Sequence, residues 1–433
     1  MLRRVYLLAT LLTVLTARAE NPPRLSLEDA LATVDRVNVN VLLSREALVQ
    51  AMESANLQRA DLIPSLSASA QQRRSESPLV SATVKAKGSP ANRSDARLAG
   101  TYQLFSPQQI LQYRAARIGV SVAQLDVEQT IQGVLAAVAQ TFFTHLRNVK
   151  RIDVLDANIG RARELVRLAG NQVDAGVATQ IDVTRAESQL SIAEQARLQQ
   201  ATVVYQSELQ LKRLLDLEAQ SGLTLVDFAV RRVEESAFAT VDEKSLFERR
   251  SDYLRSRRIL DQNQEQLKAV RSERFGSLAA SGDYAFVNTE LFDGNDQTAW
   301  SAGLAVSLPV FDGLRIRSNQ RQALSQIRSQ EFRLRQLELL ISSEVRLAYQ
   351  DARSRFAQVG VAEKSLQLSE EELQLAQNRF KQGVADNREI IDAQNRLAQA
   401  SDNLNEAIYL YNLSRVELAR SRGDVRSVLG ERE

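Results

Sequence analysis

The run Ala299-Trp-Ser-Ala-Gly-Leu-Ala-Val-Ser-Leu-Pro-Val-Phe-Asp-Gly313 changes its pattern at Pro309. Before the proline, Trp300, Ala302, Leu304, Val306 and Leu308 alternate with Ala299, Ser301, Gly303, Ala305 and Ser307. Period-two alternation with small or polar residues on one side reads as a strand with one apolar face. After Pro309 no further proline occurs. Because proline in a helix interior costs about 3 kcal/mol, the remaining sequence is open to uninterrupted helix. A strand therefore runs through a turn into a very long helix.

Three other segments read the same way. Leu66, Ala68 and Ala70 alternate with Ser65, Ser67, Ser69 and Gln71. Leu98, Gly100, Tyr102 and Leu104 alternate with Arg97, Ala99, Thr101 and Gln103. Leu278, Ala280, Gly282, Tyr284 and Phe286 stand opposite Ser277, Ala279, Ser281 and Asp283. Outer-membrane barrels use strands of about 9–11 residues with this choice of faces; a periplasmic sandwich strand shares the alternation. The connection near Arg73–Ala96 holds Pro78, Gly88, Pro90 and Asn92, and that near Asn288–Gln297 holds Asp293, Gly294 and Asn295, so both are expected as exposed loops.

The two strand pairs belong to two copies of one pattern. Asn40–Leu48 aligns with Asp252–Leu260 at an offset of 212, and Ser65-Leu66 meets Ser277-Leu278 at the same offset. Leu104-Phe105 matches Val310-Phe311 at 206, and Gly176-Val177-Ala178 matches Gly383-Val384-Ala385 at 207. Ordered matches with drifting offsets indicate related halves with loops of different length.

Between the strand pairs the chain reads as helix from Pro107 to Gln172 and from Leu314 to Gln382. At 1.5 Å per residue, about 66 residues make a helix on the order of 100 Å long. Ile152, Leu155, Ile159, Ala162, Val166, Ala169 and Val173 follow steps of three and four, as do Ile390, Ala393, Leu397, Ala400, Leu404, Ala407 and Tyr411 on a returning helix. That is heptad spacing, shared by a tunnel wall and by any exported coiled coil. Gly176 and Gly383 mark where each long helix turns back, since glycine supplies the left-handed backbone a helix end commonly needs. Thr179 with Asp182, and Asp386 with Glu389, have capping-box spacing at the start of each return helix.

Residues 1–19 read as a secretory signal: Arg3 and Arg4, an apolar run from Val5 to Leu15, then Ala17-Arg18-Ala19. Removing it takes the 55 basic residues to 52 against 53 acidic, so no nucleic-acid footprint remains. With no cysteine, an exported chain has no disulfide framework, and stability must come from packing or assembly. No later segment has the length and apolarity of a transmembrane helix. An exported chain of that kind is periplasmic, secreted, or an outer-membrane barrel.

With its duplicated plan, its Ser307-Leu-Pro-Val-Phe-Asp-Gly313 run and its Gly-Val-Ala tips, the mature chain resembles the TolC family of outer-membrane efflux proteins. The resemblance implies a mainly α fold with a small β part in two structural repeats. A homotrimer would form a 12-stranded transmembrane barrel, continued by a long antiparallel coiled-coil α-helical barrel. The expected organisation is a first repeat at 20–220, with strand pair 65–105 and helical hairpin 107–219. A linker follows at 221–241, then a second repeat at 242–433, with strand pair 277–308 and hairpin 313–430. The implied function is a passive exit duct in the outer membrane, with a large periplasmic portion. An inner-membrane transporter and a periplasmic adaptor protein would deliver substrates to it. The alternatives are the adaptor itself or a structural coiled-coil protein of the envelope.

The resemblance also implies a periplasmic gate at Asp392, Glu389 and Asp182, and adaptor docking at the tips Gly176, Val177, Ala178, Gly383, Val384 and Ala385. Glu389 and Asp182 are equally readable as capping partners of Asp386 and Thr179. The chain departs from the family pattern with Phe380 and Ala385, where a hydroxyl-bearing aromatic and a basic link are usual; Arg388 and Arg185 are candidate substitutes. Nothing suggests an enzyme. The lone His145 sits in a helical stretch without a positioned partner, and no P-loop, dinucleotide glycine motif or metal-ligand cluster appears, so no cofactor or metal is expected.

Overall fold

The computed structural model describes residues 24–76, 79–80, 85–86, 91–176, 178–226, 243–289, 297–382, 384 and 387–429. The expected signal peptide and most of the expected linker lie outside them. In chain order come β1 (Arg24–Leu25), α1 (Leu27–Val37), α2 (Val39–Ala60), β2 (Ser65–Ser75), β3 (Leu79–Val80), β4 (Lys85–Ala86) and β5 (Ala91–Phe105). Next are α3 (Pro107–Asp174), α4 (Gln180–Leu214), β6 (Thr224–Leu225), α5 (Glu243–Arg249), α6 (Ser251–Ser272), β7 (Ser277–Asn288), β8 (Gln297–Ser307), α7 (Arg315–Lys381) and α8 (Asn387–Ser421). The long helices α3 and α7 have 68 and 67 residues, and each return helix, α4 and α8, has 35. The chain is thus mainly α with a small β part, in two matching halves. No described helix is long and apolar enough to cross a membrane.

The described residues form two compact units. One takes residues through Thr33, Val138 through 226, and Glu363–Tyr409; the other takes Val34–Ala137, 243 through Ala362, and Leu410 onward. The second unit holds an antiparallel four-stranded sheet in the order β2-β5-β7-β8. The β5–β7 ladder joins the two repeats, with Gly100 opposite Gly282 and Leu98 opposite Tyr284. Because side chains alternate along a strand, the register gathers Leu66, Leu98, Tyr102, Tyr284, Trp300 and Leu304 on one face. Ser67, Ser69, Arg97, Thr101, Asp283 and Ser301 share the other. The apolar face is largely open, with Trp300, Leu304 and Leu66 each more than two-thirds exposed. β2 and β8 have one neighbour each and are exposed along their whole length.

At the foot of the β7–β8 pair, Gly276 has φ +67°, and a Cβ there would lie 2.1 Å from the Ser307 carbonyl oxygen. Only glycine fits. The same unit is held together by Arg250, which is buried. Its guanidinium donates to Asp252 at 2.9 and 2.7 Å, to Glu344 at 3.2 and 3.3 Å, and to the Ser421 carbonyl at 2.9 Å.

The first unit is helical apart from the two-residue parallel pair β1–β6. Its core joins Leu165, Ala169, Ala186, Leu373, Ala376, Phe380, Ile390, Ala393 and Leu397. Ile159, Ala162 and Ala169 of the expected α3 seam are buried, as are Ile390, Ala393, Leu397 and Ala400 on α8. The alternating alanines let helices approach closely.

The expected loop over Arg73–Ala96 is corrected at both ends. β2 runs on to Ser75 and β5 begins at Ala91, pairing Arg73 with Arg93 and Gln71 with Asp95. These rungs carry polar residues on both faces, so hydropathy alternation does not report them. The short β3–β4 pair lies within the same connection.

Candidate functional site

The α3–α4 tip is built by its glycine and its cap. Gly176 adopts φ +73°, with no atom within 4 Å of where a Cβ would sit, so backbone conformation is what requires glycine. Its N–H donates to the Val173 carbonyl at 2.9 Å, and that of Ala178 reaches back to Gln172 at 3.2 Å, satisfying carbonyls at the helix end. Thr179 starts α4: its backbone N–H and its hydroxyl both donate to Asp182 Oδ2, at 3.1 and 2.8 Å. Arg185 Nη1 stands 3.6 Å from the same carboxylate. The Thr179 hydroxyl, followed by its N–H, holds the Asp182 pKa below the ordinary carboxylate value. Asp182 is therefore a capping residue. Val177 lies outside the described residues.

The α7–α8 tip repeats the closure: the Gln382 N–H donates to Asn378 and the Val384 N–H to Arg379, at 3.1 and 3.0 Å. Gly383, Ala385 and Asp386 lie outside the described residues, and with them the expected cap on Glu389. Glu389 instead accepts an ion pair across the tip from Arg379 Nε at 3.0 Å. Val384, Arg388 and Asp392 are exposed. Phe380, where the family pattern has a hydroxyl-bearing aromatic, is buried in the helical core beside Leu165 and Ile390. Its ring stabilises the tip through packing.

Beside this core runs a groove of about 400 Å3 lined by Gly160, Arg161, Glu164, Leu168, Gln377 and Gln394. Arg161 Nε and Gln394 Oε1 are buried there without a hydrogen-bond partner, and burial lowers the Arg161 pKa. Sequence reasoning missed both, because each reads as one more polar residue on a solvated helix face.

His145 is buried, with Nδ1 2.9 Å from Ser207 Oγ. Burial lowers its pKa, so the imidazole is neutral at pH 7 and serves packing between α3 and α4. Among the described residues, no group of three or more His, Cys, Asp or Glu is placed to hold a metal ion.

The two halves match, separately, the family model described as outer membrane efflux protein, over residues 36–216 and 244–424. Outer membrane protein OprJ of Pseudomonas aeruginosa is 25% identical over 395 residues, covering 84% of this chain and 75% of the relative. Among solved structures, the Campylobacter jejuni CmeC outer membrane channel superposes with a TM-score of 0.80 at 18% identity, covering 92% of this chain and 85% of that one. The open state of the Neisseria gonorrhoeae MtrE outer membrane channel gives 0.74 at 18% identity, over 92% and 89%.

Proposed function

From the premise that the chain belongs to the outer membrane efflux protein family, we propose that it works as a passive outer-membrane duct. Copies would close one barrel, and an inner-membrane transporter would deliver substrate through a periplasmic adaptor. One observation carries the reading: a four-stranded sheet with an exposed apolar face and two unpaired edges. An open edge presents unpaired N–H and C=O groups, which in lipid must find partners. Closing a barrel by pairing β8 of one copy with β2 of the next removes every edge; three copies supply twelve strands, the number the family resemblance implies. Along β7 the apolar face runs from Leu278 to Phe286, roughly 27 Å at 3.4 Å per residue. That suits the ~25 Å apolar band of such barrels once strands tilt. Family matches over both halves favour the duct over the adaptor or a structural coiled coil.

Within this reading the helical tips, Gly176–Ala178 and Gly383–Ala385, meet the adaptor. Asp392 is the strongest gate candidate, because it is exposed while Asp182 caps α4 and Glu389 pairs with Arg379. Fractionation with mild detergent tests the proposal: the mature chain is expected in the outer membrane as a heat-modifiable trimer. Recovery as a monomer soluble without detergent would overturn it.

A further inference from the structure

Resting on the channel reading, we infer that the polar face of the sheet makes the outer stretch of the pore selective for anions, with Arg93 and Arg97 recognising multivalent anionic solutes. Arg93, Asp95 and Arg97 follow one another on the polar face of β5, each about 7 Å from the next at two residues per step. Arg73 stands directly opposite Arg93, and like charges facing each other across strands are destabilising. That opposition contributes nothing to the fold.

The formal balance on this face is three arginines against Asp95 and Asp283, but accessibility separates the signs. The Asp95 side chain is 8% exposed: both its oxygens accept from Gln71 Nε2 at 3.1 Å, and Arg93 Nε lies 3.6 Å away. Arg93 itself is 60% exposed. Asp283 accepts from the Ser301 hydroxyl and is 25% exposed, whereas Arg97 is 42% exposed. Arg97 stands 3.9 Å from Asp283, too far for a hydrogen bond, so its donors remain directed to the polar side. The carboxylates are thus drawn into the wall and the guanidiniums project from it. Repeated around a closed barrel, the face presents a ring of positive charge, and rings of Arg or Lys favour anions. Lumen-facing residues are the ones that tune selectivity in such barrels.

Planar-bilayer recording with inositol hexakisphosphate as the probe tests this. The wild-type trimer is expected to be blocked from one side only, more weakly at high salt. In the Arg93→Gln/Arg97→Gln double variant the half-blocking concentration should rise about tenfold, while Arg93→Lys/Arg97→Lys should keep the block within about twofold of wild type. Equal block in wild type and the glutamine variant, or block from that side by spermine in place of the polyanion, overturns the inference and leaves the channel standing. A chain that inserts no conducting trimer overturns the channel reading, and this inference with it.

Discussion

Arg250 shows how much one side chain can hold together. Burial alone would lower its pKa and raise that of Asp252, but the paired hydrogen bonds between them, with Glu344 adding to them, reverse both shifts. Removing one partner of a buried ion pair leaves the other charge uncompensated, at a cost of about 3–5 kcal/mol. Arg250→Met is therefore expected to lower the thermal midpoint of helix loss markedly at pH 7, with the Arg250→Met/Asp252→Asn double variant recovering part. Because the folded pKa of Asp252 is depressed, its contribution is fully present above the unfolded carboxylate value. It disappears as pH falls through the folded one. Wild type and Arg250→Met should accordingly converge in acid; equal midpoints at pH 7 would show that Arg250 is dispensable.

An element is shaped at its ends, and the start of α4 is the clearest case. A cap of this kind contributes about 0.5–2 kcal/mol, acting locally on the first turn. Asp182→Ala should speed amide hydrogen exchange at Thr179–Val183 and leave the middle of α4 unchanged. The Asp182 pKa is lowered in the folded chain, so the cap holds above the unfolded carboxylate value and weakens as pH drops through the folded one. Unchanged exchange across the first turn would remove Asp182 from that role. The α7–α8 tip relies on other means: Phe380 packs inward and Arg379 holds Glu389.

For the whole molecule, assembly decides what individual residues do. If copies surround a common axis, as the family resemblance implies, three Asp392 carboxylates approach one another at the narrow end, where they would attract cations. Asp392→Ala should then raise single-channel conductance or weaken block by multivalent cations in bilayer recordings. No change in either would take Asp392 out of the gate. An acidic inner end and a basic outer stretch would give one duct two opposite electrostatic filters in series, so block should depend on the side of addition as well as on charge.

Local periodicity made most of the architecture legible. The alternation around Leu278–Phe286 assigns faces directly, and the three-four spacing from Ile152 to Val173 marks a buried stripe; both depend on chain neighbours alone. The extra rungs Arg73–Ser75 and Ala91–Ala96 escaped because residues polar on both faces carry no hydropathy contrast. The sequence by itself determined the two repeats, the strand pairs, the long helices and the turning glycines. Only the tertiary structure decided which charges are taken: Glu389 by Arg379, Asp95 by Gln71, and Arg250 by partners 94 and 171 positions away. A side chain's partner is set by distance in space, and a linear pattern does not contain that distance.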